Sequence, residues 1–538
     1  MAGSFFGLNI SIRGIYAAQR GLDVVNHNLS NVNTPGYSRQ QAVQTASQPL
    51  SVLDGTGMIG TGAEVNSVIR VRDEYLDYKY WSENVTQGEW DTKSELMSEV
   101  EATFNEPSDS GFATVMNDFY NSLQSLAKDP SSMATRSIVK EKAVVLAKYF
   151  NNTSVHFDKL QADVNDQIKT KVDEVNSLAV QIEELNRQIY SAELTGNIAN
   201  DLRDQRTNLV DNLSKIINIQ AGEVTCGKLP DGRDDKHFVI SLSGKNLVDH
   251  YSISKLAFVP RTAGSELNKG DVPSLYEVKW ADGNTLEIKG GEIKGCLDVR
   301  DGNEGSSPDI SYTGTETSTP LFKGIPYYRK KLDEFVQQFA QSFNEGFGGS
   351  PGHADGYILS STTADTTPSG IRFFTMLDLS GNPMSSVTFV GGSLTTPSLA
   401  NYSNITAKNF TVSSDIISDS GNIAVSSSGG QVGNIDNLNS ILSLRNNTHI
   451  FAEGAPEDFM KSLVSTLGVD SQEAKSISTN QDAIIKQLDN RRLSDSGVSV
   501  DEEMTNLVKY QHAYNASAKM IQTMSEIYDT LINRLGVG

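Results

Sequence analysis

Cysteine is almost missing from this chain: Cys226 and Cys296 are the whole complement of 538 residues. That excludes a disulfide framework, and two free thiols are the expected state, since the pair could form one bridge at most. Long apolar runs are missing too, and nothing approaches the roughly 20 residues needed to cross a bilayer. Met1-Ala2-Gly3-Ser4-Phe5-Phe6 lacks the basic stretch that precedes a secretory core, so export by a conventional signal peptide is not expected. Positive charge is in deficit, with 45 Lys and Arg against 66 Asp and Glu and a formal net charge of -21. Nucleic acid binding needs clustered cations to displace counterions from phosphates, and this balance argues against it and against anionic membranes.

Recognisable chemistry is equally sparse. The seven histidines, His27, His156, His237, His250, His353, His449 and His512, are scattered, with no pair at the i, i+4 spacing of a metalloprotease helix. Gly55-Thr56-Gly57-Met58-Ile59-Gly60 has the spacing of a dinucleotide fingerprint, but no buried strand precedes it and no helix opens after it. Asp234-Asp235 beside His237 follows Pro230-Asp231-Gly232 and reads as a solvated turn rather than a metal loop. No catalytic, cofactor-binding or metal-ligating residues are therefore assigned. Paired carboxylates stay open in a chain this acidic, although nothing points to them.

What is present is a heptad code at both ends. Leu8, Ile15, Leu22 and Leu29 recur every seventh residue, with Ala18, Val25 and Val32 three residues on. At the other end Leu507, Tyr514, Ile521, Tyr528 and Leu535 do the same, with Tyr510, Met524 and Leu531 beside them. Such narrow a/d seams need partner helices. A last helix from about Asp501 to Leu535 would be roughly 50 Å long at 1.5 Å per residue, more than a compact domain needs. Gly14 and Gly21 each cost about 0.8 to 1 kcal/mol in the front helix, which is expected to order only on pairing or assembly. Pro35-Gly36 suits a type II turn and should stop that helix by Asn33.

Between the ends the period changes. The strand-like Ala63 to Val71 precedes helical pattern from Asp73. Ile168, Val175, Ile182 and Ile189, with Leu178, Leu185 and Ala192, form a third seam that Thr195-Gly196-Asn197 ends, and the helix through Leu202, Leu209, Leu213 and Ile217 completes an antiparallel hairpin. From Gly222 alternation takes over: Phe238, Ile240 and Leu242 form a strand, and Tyr276, Val278 and Trp280 face Leu286 and Ile288 across Ala281-Asp282-Gly283-Asn284. Pro326 opens a helix through Phe343, residues 350 to 430 are rich in Ser, Thr and Gly with short strands such as Val387 to Val390, and helix returns at Ile435 with breaks at Gly468 and Gly497.

The expected fold is α+β and multidomain. Paired terminal coiled-coil helices occupy 1-72 and 499-538, a mainly helical domain 73-221 and 435-498, and a β-rich outer domain 222-434 with an inserted helix near 326-347.

Ala17-Ala18-Gln19 and Asn28-Leu29-Ser30-Asn31-Val32-Asn33-Thr34-Pro35-Gly36-Tyr37 resemble the amino-terminal motif of bacterial flagellar rod, hook and hook-associated proteins. Gly497 to Met504, with Tyr510-Gln511 and Leu531-Ile532-Asn533, resembles the carboxy-terminal motif of the same axial family. Asn200 to Arg206 and Leu297 to Asp301 are similar to the hook-associated branch rather than to hook or rod proteins. A Gly, Ser and Thr-rich insert from Gly302 to about Lys323 departs from the family pattern.

The resemblance implies a structural part of the hook-filament junction, exported unfolded without a cleaved signal and self-assembling in a helical tube. It implies hook protein and hook-associated protein 3 as neighbours, and a cytosolic export chaperone that binds Leu507, Tyr514, Ile521 and Tyr528. The assembly interface expected on this basis is Leu8, Ile15, Ala18, Leu22, Val25, Asn28, Leu29 and Asn31 in front, and Leu507, Tyr510, Tyr514, Ile521, Met524, Tyr528, Leu531 and Leu535 behind. Asn28 and Asn31 are expected to bond between subunits. The alternatives are the hook protein itself, or a secreted enzyme or adhesin carried on coiled-coil termini.

Overall fold

The computed structural model describes residues 6–51, 57–104, 111–194, 196–229, 232–262, 264–308, 318–391 and 402–534. Leu535, Thr195 and the Gly55-Thr56 start of the glycine motif lie outside them.

The chain combines helix and sheet. Helix α1 (Phe6–Ser30) stops three residues before Asn33 and is followed by an antiparallel pair, β1 (Gln40–Ala46) and β4 (Ala63–Arg70), with a short ribbon of β2 (Leu50–Ser51) and β3 (Met58–Ile59) between them. The helical body follows: α2 (Glu74–Phe104), α3 (Phe112–Lys128), α4 (Met133–Glu193) and α5 (Asn200–Ile216). Ser132 caps α4 by accepting from the Thr135 N–H at 3.4 Å. The seam residues Ile168, Val175, Leu178, Ile182 and Ile189 are buried along α4, Leu185 is half-buried and Ala192 is exposed near its end. Helix α5 folds back on α4.

A four-stranded antiparallel sheet follows in order β5 (Gln220–Lys228), β6 (Asp234–Leu242), β7 (Lys245–Asp249), β8 (Ser252–Ile253), then a pair β9 (Leu256–Pro260) and β10 (Tyr276–Trp280). The partner of Tyr276, Val278 and Trp280 is thus β9, not Leu286 and Ile288. The turn at Ala281 to Asn284 forms as its chemistry dictates, but it closes on a single bridge, Lys279 to Thr285, because the chain then leaves toward the end of α5, where the Lys289 N–H donates to Asn218 Oδ1.

Helices α6 (Glu292–Asp301) and α7 (Ile325–Glu345) come next. Beyond them the region expected to be β-rich holds, among the described residues, one pair of three-residue strands, β11 (Phe374–Met376) and β12 (Phe410–Val412), with short helices α8 (Ser386–Phe389), α9 (Ser414–Ser418) and α10 (Asp436–Ser443). Val387 to Val390 is therefore not a strand. Ser385 accepts from the Thr388 N–H at 3.2 Å, and this cap starts α8, whose Phe389 is buried.

Helix α11 (Pro456–Ser496) passes through Gly468 without a break, because Leu463, Leu467, Ser471 and Ala474 bury a continuous stripe on either side of it. The stripe outweighs the roughly 1 kcal/mol that a helical glycine costs. Gly497 does end α11, and α12 (Val500–Asp529) completes the chain with a π-turn to Arg534.

The core runs from Trp81 to Leu467 and gathers Phe119, Phe150, Phe335, Phe343, Phe373, Phe374 and Phe410 where α3, α4 and α7 meet. Helices α2 and α11 pack antiparallel across it, with Gln481 bonded to Glu83 and Arg492 to Asp77. Neither α1 nor α12 contributes to that core.

Candidate assembly site at the base of the terminal helix pair

Helices α1 and α12 pack on each other. A Cβ built on Gly7 would meet Met524, one on Gly14 would meet Ser517 and one on Gly21 would meet Tyr510, at 2.8, 2.8 and 2.6 Å. Seven residues up one helix match seven down the other, so the pair is antiparallel and its contact line on α1 is a heptad of glycines.

The Leu8, Ile15, Leu22 and Leu29 row sits one residue further on, about 100° around the helix, and is half-buried on the flank. The expected seam is corrected accordingly: close approach of the backbones selects the glycine row, and the leucine row keeps part of its surface in solvent. Ala18 and Val25 are buried, Asn31 half-buried. On α12, Leu507, Tyr510, Ile521, Met524 and Tyr528 are half-buried, while Tyr514 and Leu531 are exposed.

Asn28 is fully buried, which removes it from any contact between subunits in this conformation. Its Nδ2 donates to the Gln40 carbonyl at 2.9 Å, and its Oδ1 accepts from the Gln40 N–H at 2.9 Å and the Tyr37 hydroxyl at 2.8 Å. Asn31 Nδ2 donates to the His27 carbonyl at 3.0 Å. These asparagines satisfy the end of α1 and the start of β1, since both backbones present polar groups that need partners. Burial, with the nearby Asp201, Asp204 and Glu503 carboxylates, pushes the Tyr37 hydroxyl above its usual range and keeps it a donor.

Below the pair, four stretches distant in sequence converge. Asp204 on α5 accepts from the Ser38 N–H and hydroxyl, both at 2.8 Å, and from Arg70 Nη1 at 2.9 Å. Asp201 accepts from Gln40 Nε2 at 2.6 Å, and Asn200 Nδ2 donates to the Val68 carbonyl at 2.9 Å. Arg72 grips Asp77 with two bonds at 2.7 and 2.8 Å. Burial lowers the Arg72 guanidinium, but the Asp77 pair outweighs it and the net shift is upward. Arg492 on α11 joins Asp77 at 3.0 Å and Asp211 at 2.9 Å. Arg39 reaches the start of α12, with Glu503 at 2.8 Å and Glu502 at 2.6 Å, while its N–H donates to the Ser496 carbonyl at 2.7 Å. The turn at Pro35, the Asn200 to Arg206 stretch and the Gly497 to Met504 stretch are thus one ionic joint. Arg70, Arg72, Asp77 and Arg492 were not foreseen: Arg70 and Arg492 find partners more than a hundred residues away, and although Arg72 and Asp77 are five residues apart, nothing local marks them as part of a joint.

The Leu297 to Asp301 stretch builds a second buried joint. Asp301 accepts from Arg300 at 2.9 and 2.7 Å and from Arg261 at 3.1 and 2.7 Å. Burial alone would raise Asp301, but the two guanidinium groups outweigh it and hold the carboxyl well below the carboxylate range. Arg329, Asp271 and Gln161 continue the network between α4 and α7.

Among the described residues no group of three or more His, Cys, Asp or Glu is arranged to hold a metal ion, and no helix is long and apolar enough to cross a membrane. Cys226 is exposed and Cys296 buried, both as free thiols, and burial pushes the Cys296 thiol up to about 12.

Residues 97–357 match the family model described as flagellar hook-associated protein FlgK helical domain, and residues 490–535 that of the flagellar basal body rod FlgEFG protein C-terminal. A curated relative, flagellar hook-associated protein 1 of Bacillus subtilis (strain 168), is 31% identical over 561 aligned positions covering 100% of both chains. The protein of the same name in Escherichia coli (strain K12) is 28% identical, over 98% of this chain and 99% of that one. A solved structure, the flagellar hook junction protein FlgK from Burkholderia pseudomallei, shares the fold with a TM-score of 0.54 at 14% identity, over 79% of this chain and 100% of that one. Whole-length identity to such a relative, together with a helical-domain match spanning α3 to α7, shows that the chain belongs to the flagellar hook-associated protein 1 family.

Proposed function

We propose that this chain is a structural component of the bacterial flagellum that forms the joint between hook and filament, and that it catalyses no reaction. One observation carries the reading: of the 30 residues of α12, Glu503 is the one buried residue, and it is polar. An isolated helix of that length gains little stability from propensity and depends on packing of an apolar face. Here that face packs on α1, leaving Met504, Val508, Tyr514, Met520 and Ile527 in solvent, with Leu531 exposed just beyond the helix. Such a helix finds its burial against further copies of the same chain, and folding of the terminal helices is coupled to assembly.

The ionic joint supports a division of labour. The terminal pair (1-72 and 499-538) lies toward the tube axis, the helical domain (73-221 and 435-498) is braced on it through Ser38 and Arg70 on Asp204 and through Arg72 on Asp77, and residues 222-434 face outward. Hook protein and hook-associated protein 3 are the neighbours, a cytosolic chaperone covers α12 before export, and export proceeds without a cleaved signal peptide.

Deletion of the gene in its native host, with electron microscopy and an assay of secreted flagellin, tests the reading. Hooks without filaments and flagellin lost to the medium are expected. Absent hooks would favour the hook protein, and intact filaments would return the enzyme or adhesin reading.

A further inference from the structure

Two imidazoles that the assembly role leaves unused lie face to face in the four-stranded sheet. His237 on β6 and His250 in the turn between β7 and β8 stack with ring centroids 3.9 Å apart and planes 6° from parallel. Tyr251 lies 3.7 Å from His250, Tyr190 of α4 meets it edge-on at 5.1 Å, and the Arg187 guanidinium sits 5.4 Å over Tyr251. His250 is 7% exposed, and neither of its ring nitrogens has a hydrogen-bond partner among the described residues. Its φ of 52° is in the left-handed region, where a non-glycine side chain is strained. Two backbone bonds hold it there: the His250 N–H donates to the Phe238 carbonyl at 3.1 Å, and Asn186 Nδ2 of α4 donates to the His250 carbonyl at 3.1 Å.

We propose that this pair is a one-proton acid latch: two charged imidazoles are not tolerated face to face, His250 is the buried ring with no carboxylate to meet a proton, and acidification therefore frees the β7–β8 turn from α4. His237 Nε2 stands 3.5 Å from Asp235 Oδ1. His250 has no such partner, and two unit charges at the stacking distance repel strongly in partly dry surroundings.

The other charged groups around the pair do not relieve this. From α4 and α5, Glu193 is paired with Arg203, and from β5, Glu223 is paired with Arg203 and Arg206. Asp234 of β6 is paired with Lys228. Arg187 of α4 is paired with Glu183, and Arg233 and Lys236 lie nearby. Asp235 and Asp249 favour a proton on His250, but burial first, then His237 and Arg206, prevail and lower its pKa. The unfolded chain, near 6.5, binds the proton more readily than the fold does. The latch is therefore intact above about pH 6.5, and its contribution is lost as pH falls toward the depressed folded value.

Ring signals of histidine-labelled full-length chain, followed from pH 8 to 4 with hydrogen exchange of residues 245–253, test this. His250 is expected to titrate below 6.5, with exchange of the turn rising at least tenfold at the same midpoint. In His237→Gln the midpoint should climb by about one pH unit, because the like charge is gone. His250→Phe keeps a stacking ring without a proton and should hold the turn protected down to pH 4. An ordinary His250 midpoint, a midpoint unmoved by His237→Gln, or acid exchange persisting in His250→Phe overturns the proposal.

Discussion

Gly21 of α1 lies under the ring of Tyr510 of α12, so close that a Cβ on the glycine would stand 2.6 Å from Cε1 and 2.8 Å from Cζ. The same relation repeats at Gly14 and Gly7, which makes absence of a side chain the packing feature of the terminal pair. A glycine row costs helix propensity, and here it is offset by an approach of two backbones that larger residues forbid.

Substitution at Gly21 sets two effects of opposite sign against each other. Alanine gains about 0.8 to 1 kcal/mol of helix propensity, while overpacking costs about 1 to 3 kcal/mol, so Gly21→Ala should come out near zero or mildly destabilising. Gly21→Val gains less propensity than alanine does and adds more bulk, so it should raise protease cleavage within residues 500–529 about tenfold. Tyr510→Ala in the same chain should restore protection. A Gly21→Val chain as resistant as the parent would show that the glycine row is not the contact line.

Asp204→Ala removes the acceptor shared by Ser38 and Arg70 and leaves a nearly buried guanidinium without its carboxylate. Breaking one side of a buried pair costs about 3 to 5 kcal/mol. The loss should appear as a lower denaturation midpoint for α1 and the β1–β4 pair, read by a fluorophore near Tyr37, with the signal from the α2–α11 body unchanged. Coincident loss of both signals would mean that the joint and the body unfold as one unit.

Much of this architecture was legible in local chemistry. Pro35 stopping α1, Pro326 in the first turn of α7, Gly497 ending α11 and the Ile168–Val175–Ile182–Ile189 seam follow from residue types and spacing alone. The contact line of the terminal pair was not, because heptad patterns are read from apolar side chains and a glycine has none. Gly468 misled for the converse reason: a breaker residue was overridden by buried neighbours that only the packing of α11 on α2 reveals. The ionic joint was half legible. Its motif stretches stand out, but Asp204 meeting Ser38, or Arg39 meeting Glu503, is a long-range pairing that one sequence does not encode visibly.

His353 gives a second acid-sensitive point, separable from the stacked pair. Its Nδ1 donates to the Ile371 carbonyl at 2.7 Å, and its Nε2 accepts from the Ala424 N–H at 2.8 Å, so the neutral ring is fixed in one tautomer. Burial, aided by Arg136 and Arg372, lowers its pKa to about 4, although the Ile371 bond favours the charged form. The unfolded value near 6.5 is higher, so the contribution is full above about pH 6.5 and disappears as pH falls toward 4, on the order of 3 kcal/mol in all. Hydrogen exchange of Phe373–Thr375 and Ala424 should therefore rise in that window. In His353→Gln the pH dependence should vanish while baseline exchange increases.

Ile521→Asp separates the fold of the subunit from its assembly. Ile521 is half-buried, on the same side of α12 as Ser517 and Met524, which meet α1, and it belongs neither to the core nor to the residues packed against the core. In the free subunit the substitution removes part of one apolar side chain's burial, about 1 to 2 kcal/mol, confined to the terminal pair. In a tube every copy carries the defect, and each charge must be desolvated between neighbouring helices, so a modest local loss is multiplied along the lattice. The unfolding midpoint of the body should therefore stay at the parent value, while polymerisation of purified subunits fails and binding of an α12-directed chaperone weakens. Normal polymers from the variant would show that this face of α12 is not buried on assembly. A lowered body midpoint would show instead that α12 stabilises the subunit more than its single buried residue implies.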